Sequence, residues 1–184
     1  MASVTGAIVF TDLVGFTEFT ATSGDDEAVR LLGVQDHIVT ALLPDDARIV
    51  KELGDGLMIY FSAACLAVTT MLDVLDAFSA AADRDEMPLW VRVGGHWGCP
   101  TQRGADLVGH DANVAARMAD VAAPGELLVS EALVQADEHA GVAFGELGPV
   151  IIKGLPEPVQ LFRAERDPLR PVRESATGLV TCGE

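Results

Sequence analysis

The sequence predicts a mixed α+β domain with a mainly antiparallel sheet and helices packed on it. Short apolar runs that end in Gly, Asp or Pro read as strands, and one pair flanks a tight Gly54-Asp55-Gly56 turn. Longer stretches between them repeat their apolar residues at helical spacing. The chain has 184 residues, 49% of them hydrophobic, enough to fill one core.

Taken in order, Ala7–Phe10 is a buried strand closed by Thr11-Asp12. Gly15 follows, and a helix is predicted to start with Thr17 as its cap. From Asp25 to Leu43 the apolar residues Ala28, Leu31, Leu32, Ile38, Val39 and Leu42 approach helical period, and Pro44 stops the helix. Arg48–Leu53 and Leu57–Phe61 form the hairpin strands. Ala63–Ala82, rich in Ala, Leu, Val and Met, reads as a long helix. Leu89–Val93 is a central strand running toward Gly94-Gly95. The Gly/Pro-punctuated segment Gly98–Gly109 reads as a loop, leading to a helix at His110–Val121 that ends at Pro124-Gly125. Glu126–Val129 is a short strand, and Ser130 caps a brief helix. Val142–Ile152 and Pro158–Phe162 are the last strands, joined through Lys153-Gly154. The expected organisation is one domain over 1–166 and a tail over 167–184 whose prolines and charges predict disorder.

Net charge is −16, from 12 Lys and Arg against 28 Asp and Glu. Such a chain repels phosphate backbones and anionic bilayers at long range, so no nucleic-acid or membrane partner is expected. The first apolar run carries Asp12 and no basic flank, so no signal peptide is read. Cys65, Cys99 and Cys182 have neither metal-ligand nor redox-motif spacing, so no disulfide scaffold is expected and a cytoplasmic setting fits.

Four segments concentrate the chemistry. They are Phe10-Thr11-Asp12-Leu13-Val14-Gly15-Phe16-Thr17, Lys51-Glu52-Leu53-Gly54-Asp55-Gly56, Asp106 through Met118, and Ile152-Lys153-Gly154-Leu155. Taken singly, Asp55 is an ordinary turn residue, Lys51 a solvated strand-end charge and Arg117 a polar helix-face residue. In this order and spacing the segments resemble the class III nucleotidyl cyclases, the adenylyl and guanylyl cyclase catalytic domains, over roughly Ile8 to Ala164.

The resemblance implies a palm-type, ferredoxin-like fold working as a head-to-tail homodimer, with two active sites at the interface. The implied reaction is attack of the ribose 3′-hydroxyl of ATP on the α-phosphate, giving 3′,5′-cyclic AMP and pyrophosphate. A weak nucleophile and a highly charged leaving group call for two divalent cations about 4 Å apart, Mg²⁺ or Mn²⁺, with hard oxygen ligands. The matching ligands are Asp12, Asp55 and the Leu13 carbonyl. Gly15, Phe16 and Thr17 match the phosphate-binding turn, where backbone N–H groups face an anion. Lys51 and Asp106 match the pair that reads adenine, whose N1 accepts and whose exocyclic amine donates. Guanine reverses that polarity, and guanylyl cyclases carry Glu and Cys or similar residues at these places. Asn113 matches the residue that orients the ribose, and Arg117 the one that stabilises charge on the α-phosphate. The two are four apart and share a helix face. Lys153 matches a Lys that grips the terminal phosphates. A guanylyl cyclase and a nucleotide-binding dimerisation module without catalysis are the alternatives.

Three departures accompany the resemblance. Gly109-His110-Asp111-Ala112-Asn113 replaces the common Gly-Asp-Thr-Val-Asn. The Cys99–Ala105 segment is short beside relatives with an extended arm. His96, in Gly94-Gly95-His96-Trp97-Gly98, is expected to be structural, and Trp97 to be packing. A regulatory domain outside this chain remains compatible with all of this.

Overall fold

A computed structural model describes residues 2–137 and 141–168. Most of the tail expected over 167–184 lies outside the described residues. The elements run β1 (Gly6–Leu13), α1 (Phe16–Ser23), α2 (Asp25–Leu42), β2 (Ala47–Leu53), β3 (Gly56–Phe61), α3 (Ala64–Asp83) and β4 (Val91–Gly98). Then follow β5 (Thr101–Arg103), β6 (Asp106–Val108), α4 (His110–Val121), β7 (Leu127–Ser130), α5 (Glu131–Ala136), β8 (Val142–Val150) and β9 (Val159–Arg166). Among the described residues the main sheet has the order β2-β3-β1-β4-β7-β9-β8. Every pairing in it is antiparallel except β4 with β7, which α4 joins as a crossover. The expected α+β architecture is therefore the one observed.

β1 reads as a continuous apolar run because both of its faces are covered. Ala7 and Val9 pack with Ile59, Phe61, Val68 and Met71 in the main core. Ile8 turns the other way, toward Met58, Leu107, Ala112 and Ala115. Each such fully buried large side chain contributes about 1.5–3 kcal/mol. α3 is long and apolar enough to cross a bilayer, yet its Ala67, Val68, Met71, Val74 and Phe78 are buried in the main core.

Three local expectations are corrected. Thr17 does not cap α1: Gly15 does, with φ 82° and no side-chain cap, and Thr17 is the second helical residue. The left-handed conformation there favours glycine, which has no Cβ to clash. The Gly98–Gly109 loop contains a small hairpin, β5 with β6, so Asp106 begins a strand. β4 starts later than expected and runs through Gly94-Gly95 instead of stopping before them. A Cβ on Gly94 would lie 2.2 Å from the Ala119 nitrogen and 2.7 Å from the Ala115 oxygen, so glycine is what lets α4 lie directly on β4. Cys65 is buried on α3, and Cys99 is free.

Candidate active site

The end of β1 and the β2–β3 turn assemble the first cluster. Leu53 pairs with Gly56, leaving Gly54 and Asp55 as a two-residue turn, with Gly54 at φ 70°. β3 lies beside β1 with Thr11 opposite Leu57, and Gly56 lets the turn close in, since a Cβ there would sit 2.7 Å from the Thr11 oxygen. The Asp55 carboxylate lies near the Leu13 backbone N–H and feels the charge of Asp12. Burial, first, and then the Asp12 charge push the Asp55 carboxyl upward, while backbone N–H groups and Arg92 pull it down.

Arg92 is the residue that sequence reasoning missed. It stands opposite Asp12 in the β1–β4 register. Its Nε and Nη2 both donate to Asp12 Oδ2 at 2.7 Å, and its Nη1 donates to the Asp120 carbonyl at 2.6 Å. The only signal in the sequence was a lone cation on a buried strand; its partner is set by register.

The donor set suits hard divalent cations. Asp12 and Asp55 offer carboxylate oxygens and Leu13 a backbone carbonyl. Two acidic side chains held this close, one of them driven toward its neutral form, are the arrangement a divalent cation would stabilise.

The second cluster joins edge strand β2 to the β5–β6 hairpin. Lys51 of β2 and Asp106 of β6 form an ion pair, Nζ to Oδ1 at 2.8 Å and to Oδ2 at 2.9 Å, with both side chains about one-third exposed. The Lys51 hydrogen bond, foremost, holds the Asp106 carboxyl below its ordinary range. Asp106 Oδ1 also accepts from the Leu107 N–H at 2.8 Å. Residues 55 apart in sequence thus present one donor group and one acceptor group side by side.

α4 carries Asn113 and Arg117 on its exposed side, while Ala112, Val114, Ala115 and Met118 bury the opposite face. Arg117 Nη1 donates to Asp120 Oδ2 at 2.7 Å. Arg117 and Lys153 line one cleft of about 420 Å³ with Asp120, Ile152 and Gly154. Among the described residues no hydrogen bond or ion pair joins Asn113 or Arg117 to Asp12 or Asp55. Arg117 meets that cluster only through Asp120, whose carbonyl holds Arg92.

His96 is half-buried, and burial, foremost, pushes its imidazole below the ordinary range. Nδ1 lies 2.7 Å from Ser130 Oγ and Nε2 3.6 Å from Asp111 Oδ1. Ser130 Oγ also accepts from the Leu133 N–H, as expected of the α5 cap. His96 thus stands between Ser130, the cap of α5, and Asp111 of α4. This is a strut between α4 and α5, in line with the structural expectation for His96. A cleft of about 460 Å³ beside His96, Ser130 and Glu157 contains none of the site residues expected from the sequence.

Comparison with known proteins gives this geometry a family. The adenylate and guanylate cyclase catalytic domain model matches residues 3–164. A pH-sensitive adenylate cyclase of Mycobacterium tuberculosis is 30% identical over 167 residues, 89% of this chain and 41% of the relative. An adenylate cyclase of Streptomyces griseus is 32% identical over 127 residues, 68% of this chain and 31% of the relative. The chain thus spans less than half the length of these curated relatives. The adenylyl cyclase CyaB from P. aeruginosa superposes with a TM-score of 0.78 at 19% identity, covering 90% of this chain and 96% of its own. The catalytic core of a rhodopsin-guanylyl cyclase with converted specificity, in complex with ATPαS, superposes equally well at 20% identity, covering 91% and 99%. At those identities the superpositions speak for the fold. The chain belongs to the class III adenylate and guanylate cyclase catalytic-domain family.

Proposed function

We propose that this domain converts ATP to 3′,5′-cyclic AMP and pyrophosphate, in the cytoplasm, as an intracellular signalling enzyme. The observation that carries the choice of ATP is the Lys51–Asp106 pair. An ammonium donating to N1 and a carboxylate accepting from the exocyclic amine fit adenine and oppose guanine. A buried mismatch of that kind is worth about 10⁴-fold in selectivity. The adenylate cyclase descriptions of the curated relatives support the same reading.

Asp12, Asp55 and the Leu13 carbonyl would hold two divalent cations, Mg²⁺ or Mn²⁺. Bound there, they supply activation of the 3′-hydroxyl and neutralisation of the triphosphate. Gly15, Phe16 and Thr17 direct backbone N–H groups from the start of α1 toward phosphate. Arg92 keeps Asp12 aimed and adds positive charge at the same end of the sheet. Asn113 orients the ribose from α4. Arg117, always ionised and planar, stabilises charge growing on the α-phosphate oxygens, and Lys153 beside it binds the terminal phosphates.

The reading includes a homodimer with two equivalent sites. Supporting it, among the described residues the carboxylate cluster and the α4 cluster share no direct hydrogen bond or ion pair within one chain. One protomer supplies Asp12 and Asp55, and its partner supplies Lys51, Asp106, Asn113 and Arg117. Regulation would come from sequence beyond this domain.

Product analysis after incubation with ATP and Mn²⁺ tests the proposal, with Asp12→Ala as control. Cyclic AMP from the wild type and none from the variant is the expected result. Nucleotide binding with no cyclic product would reduce the domain to a non-catalytic module. Cyclic GMP formed in preference would reverse the choice of base.

A further inference from the structure

Strand β2 contains a register shift between Ile49 and Lys51. Residues three apart on a regular strand point to opposite faces. Here Arg48 pairs with Tyr60, Ile49 with Ile59, and Lys51 with Met58. Tyr60 and Met58, two apart on β3, share a face, so their partners Arg48 and Lys51 do too. The extra residue, Val50, packs on that same face beside Met58 and Leu107.

The bulge therefore sends two cations of one strand to the same small hairpin. Lys51 binds Asp106, and Arg48 Nη1 donates to the Ala105 carbonyl at 3.0 Å. The Arg48 guanidinium lies over the Tyr60 ring, 5.5 Å from its centroid. That ring is fixed in turn, because the Tyr60 hydroxyl donates to the Thr5 carbonyl at 2.8 Å. Gly6 admits it: a Cβ there would fall 2.4 Å from the ring.

The β5–β6 hairpin needs such support. Its strands have three residues each, too few to hold a geometry unaided. Its base is tied to α4, where Asp111 Oδ2 accepts from the Cys99 N–H at 2.6 Å. Its tip, Gly104-Ala105, is tied to β2 by Arg48. The Asp106 carboxylate is fixed to the hairpin backbone through the Leu107 N–H, so a tilt of the hairpin carries the carboxylate with it.

We propose that Arg48 is a positioning residue for base selection: by holding the Ala105 carbonyl, it sets the tip of the β5–β6 hairpin so that Asp106 stands beside Lys51. The inference rests on the reading of Lys51 and Asp106 as the adenine-recognising pair. Arg48 touches no substrate and acts through Asp106.

The test uses the intact chain with ATP and Mn²⁺, comparing Arg48→Met, Arg48→Lys and Lys51→Met. Arg48→Met keeps the apolar stem and removes the donors. It should raise KM for ATP about five- to tenfold, the worth of one ordinary hydrogen bond, with kcat within about twofold. The inhibition constant of GTP should move by less than about twofold, since guanine does not use the adenine pattern. Arg48→Lys, which keeps charge and one route to the carbonyl, should fall between and answers the question should Arg48→Met not fold. A merely structural role would lower kcat through a smaller active fraction and leave KM in place, and that outcome overturns the proposal. An unchanged KM in both Arg48 variants, with a raised KM in Lys51→Met, overturns it alone. An unchanged KM in Lys51→Met removes the base reading and the proposal with it.

Discussion

Lys51 and Asp55 are four residues apart on one hairpin, yet they belong to opposite electrostatic settings. Lys51 meets a carboxylate and forms a closed pair with Asp106. Asp55 faces another acid, and burial together with the Asp12 charge pushes its carboxyl up. The first setting is complete within the fold and offers a fixed pattern of donor and acceptor. The second combines burial with repulsion that Arg92 and backbone N–H groups offset only in part and that an added cation would relieve further. The end of β2 and the Gly54-Asp55 turn separate the group proposed to read the base from the group proposed to handle charge.

The contrast is broken most severely by removing one member from each half of the proposed site. Asp55→Ala and Asn113→Ala should each lose at least about 10²–10³-fold in cyclase activity. Mixed in equal amounts, they should recover roughly a quarter of wild-type activity, because half the dimers keep one of two sites. No recovery from demonstrated heterodimers would sink the shared-site arrangement.

Reversing the closed pair comes next. Lys51→Glu with Asp106→Cys should cost ATP cyclisation about 10³–10⁴-fold and raise GTP use. An unchanged preference for ATP, measured by competition between the two nucleotides, would remove these residues as base readers.

The open cluster is sharpened by cation titration. At about ten times its dissociation constant, Mn²⁺ should raise the melting temperature by about 3–6 °C. Asp55→Asn should lose most of that rise. An equal rise in both proteins would place the cation elsewhere.

The smallest effect is the most diagnostic of the contrast, because the two carboxylates should respond to pH with opposite signs. Asp55 has a raised folded value, so the metal-free native state loses stability as pH rises through the interval between unfolded and folded values. That penalty persists at neutral pH. Asp106 has a depressed folded value, so its contribution is present above the unfolded value and is lost as pH falls through the folded one. In metal-free urea unfolding at pH 7, Asp55→Asn should therefore exceed the wild type in stability and Asp106→Asn should fall below it. Both differences should shrink toward pH 3. The same sign for both variants would refute the comparison.

Much of the site was legible because its residues sit in contiguous segments. Asp12, Leu13 and Gly15 follow one strand, Lys51 and Asp55 frame one turn, and Asn113 and Arg117 occupy one helix. Arg92 was not legible, since nothing local marks a strand cation as the partner of an aspartate 80 residues away. The β5–β6 hairpin was hidden for a related reason: three-residue strands show no periodicity. Gly94 and Gly95 looked like the end of a strand because glycine weakens one, but here the absence of a side chain is what α4 requires. The Thr17 cap was a reasonable local choice, displaced by the left-handed turn at Gly15.

By itself the sequence determined the fold class and most of the elements, because apolar periodicity and turn chemistry are local properties written residue by residue, and its four motif segments carried the resemblance to the family. It also held the identities of the acids, bases and amide on which the proposed chemistry depends. Only the tertiary structure decided which of them meet. The pairing of β1 with β4 set Arg92 against Asp12, and the bulge in β2 turned Arg48 and Lys51 to one face. Strand register and bulges link positions far apart in the chain, so their consequences appear only when the sheet has formed.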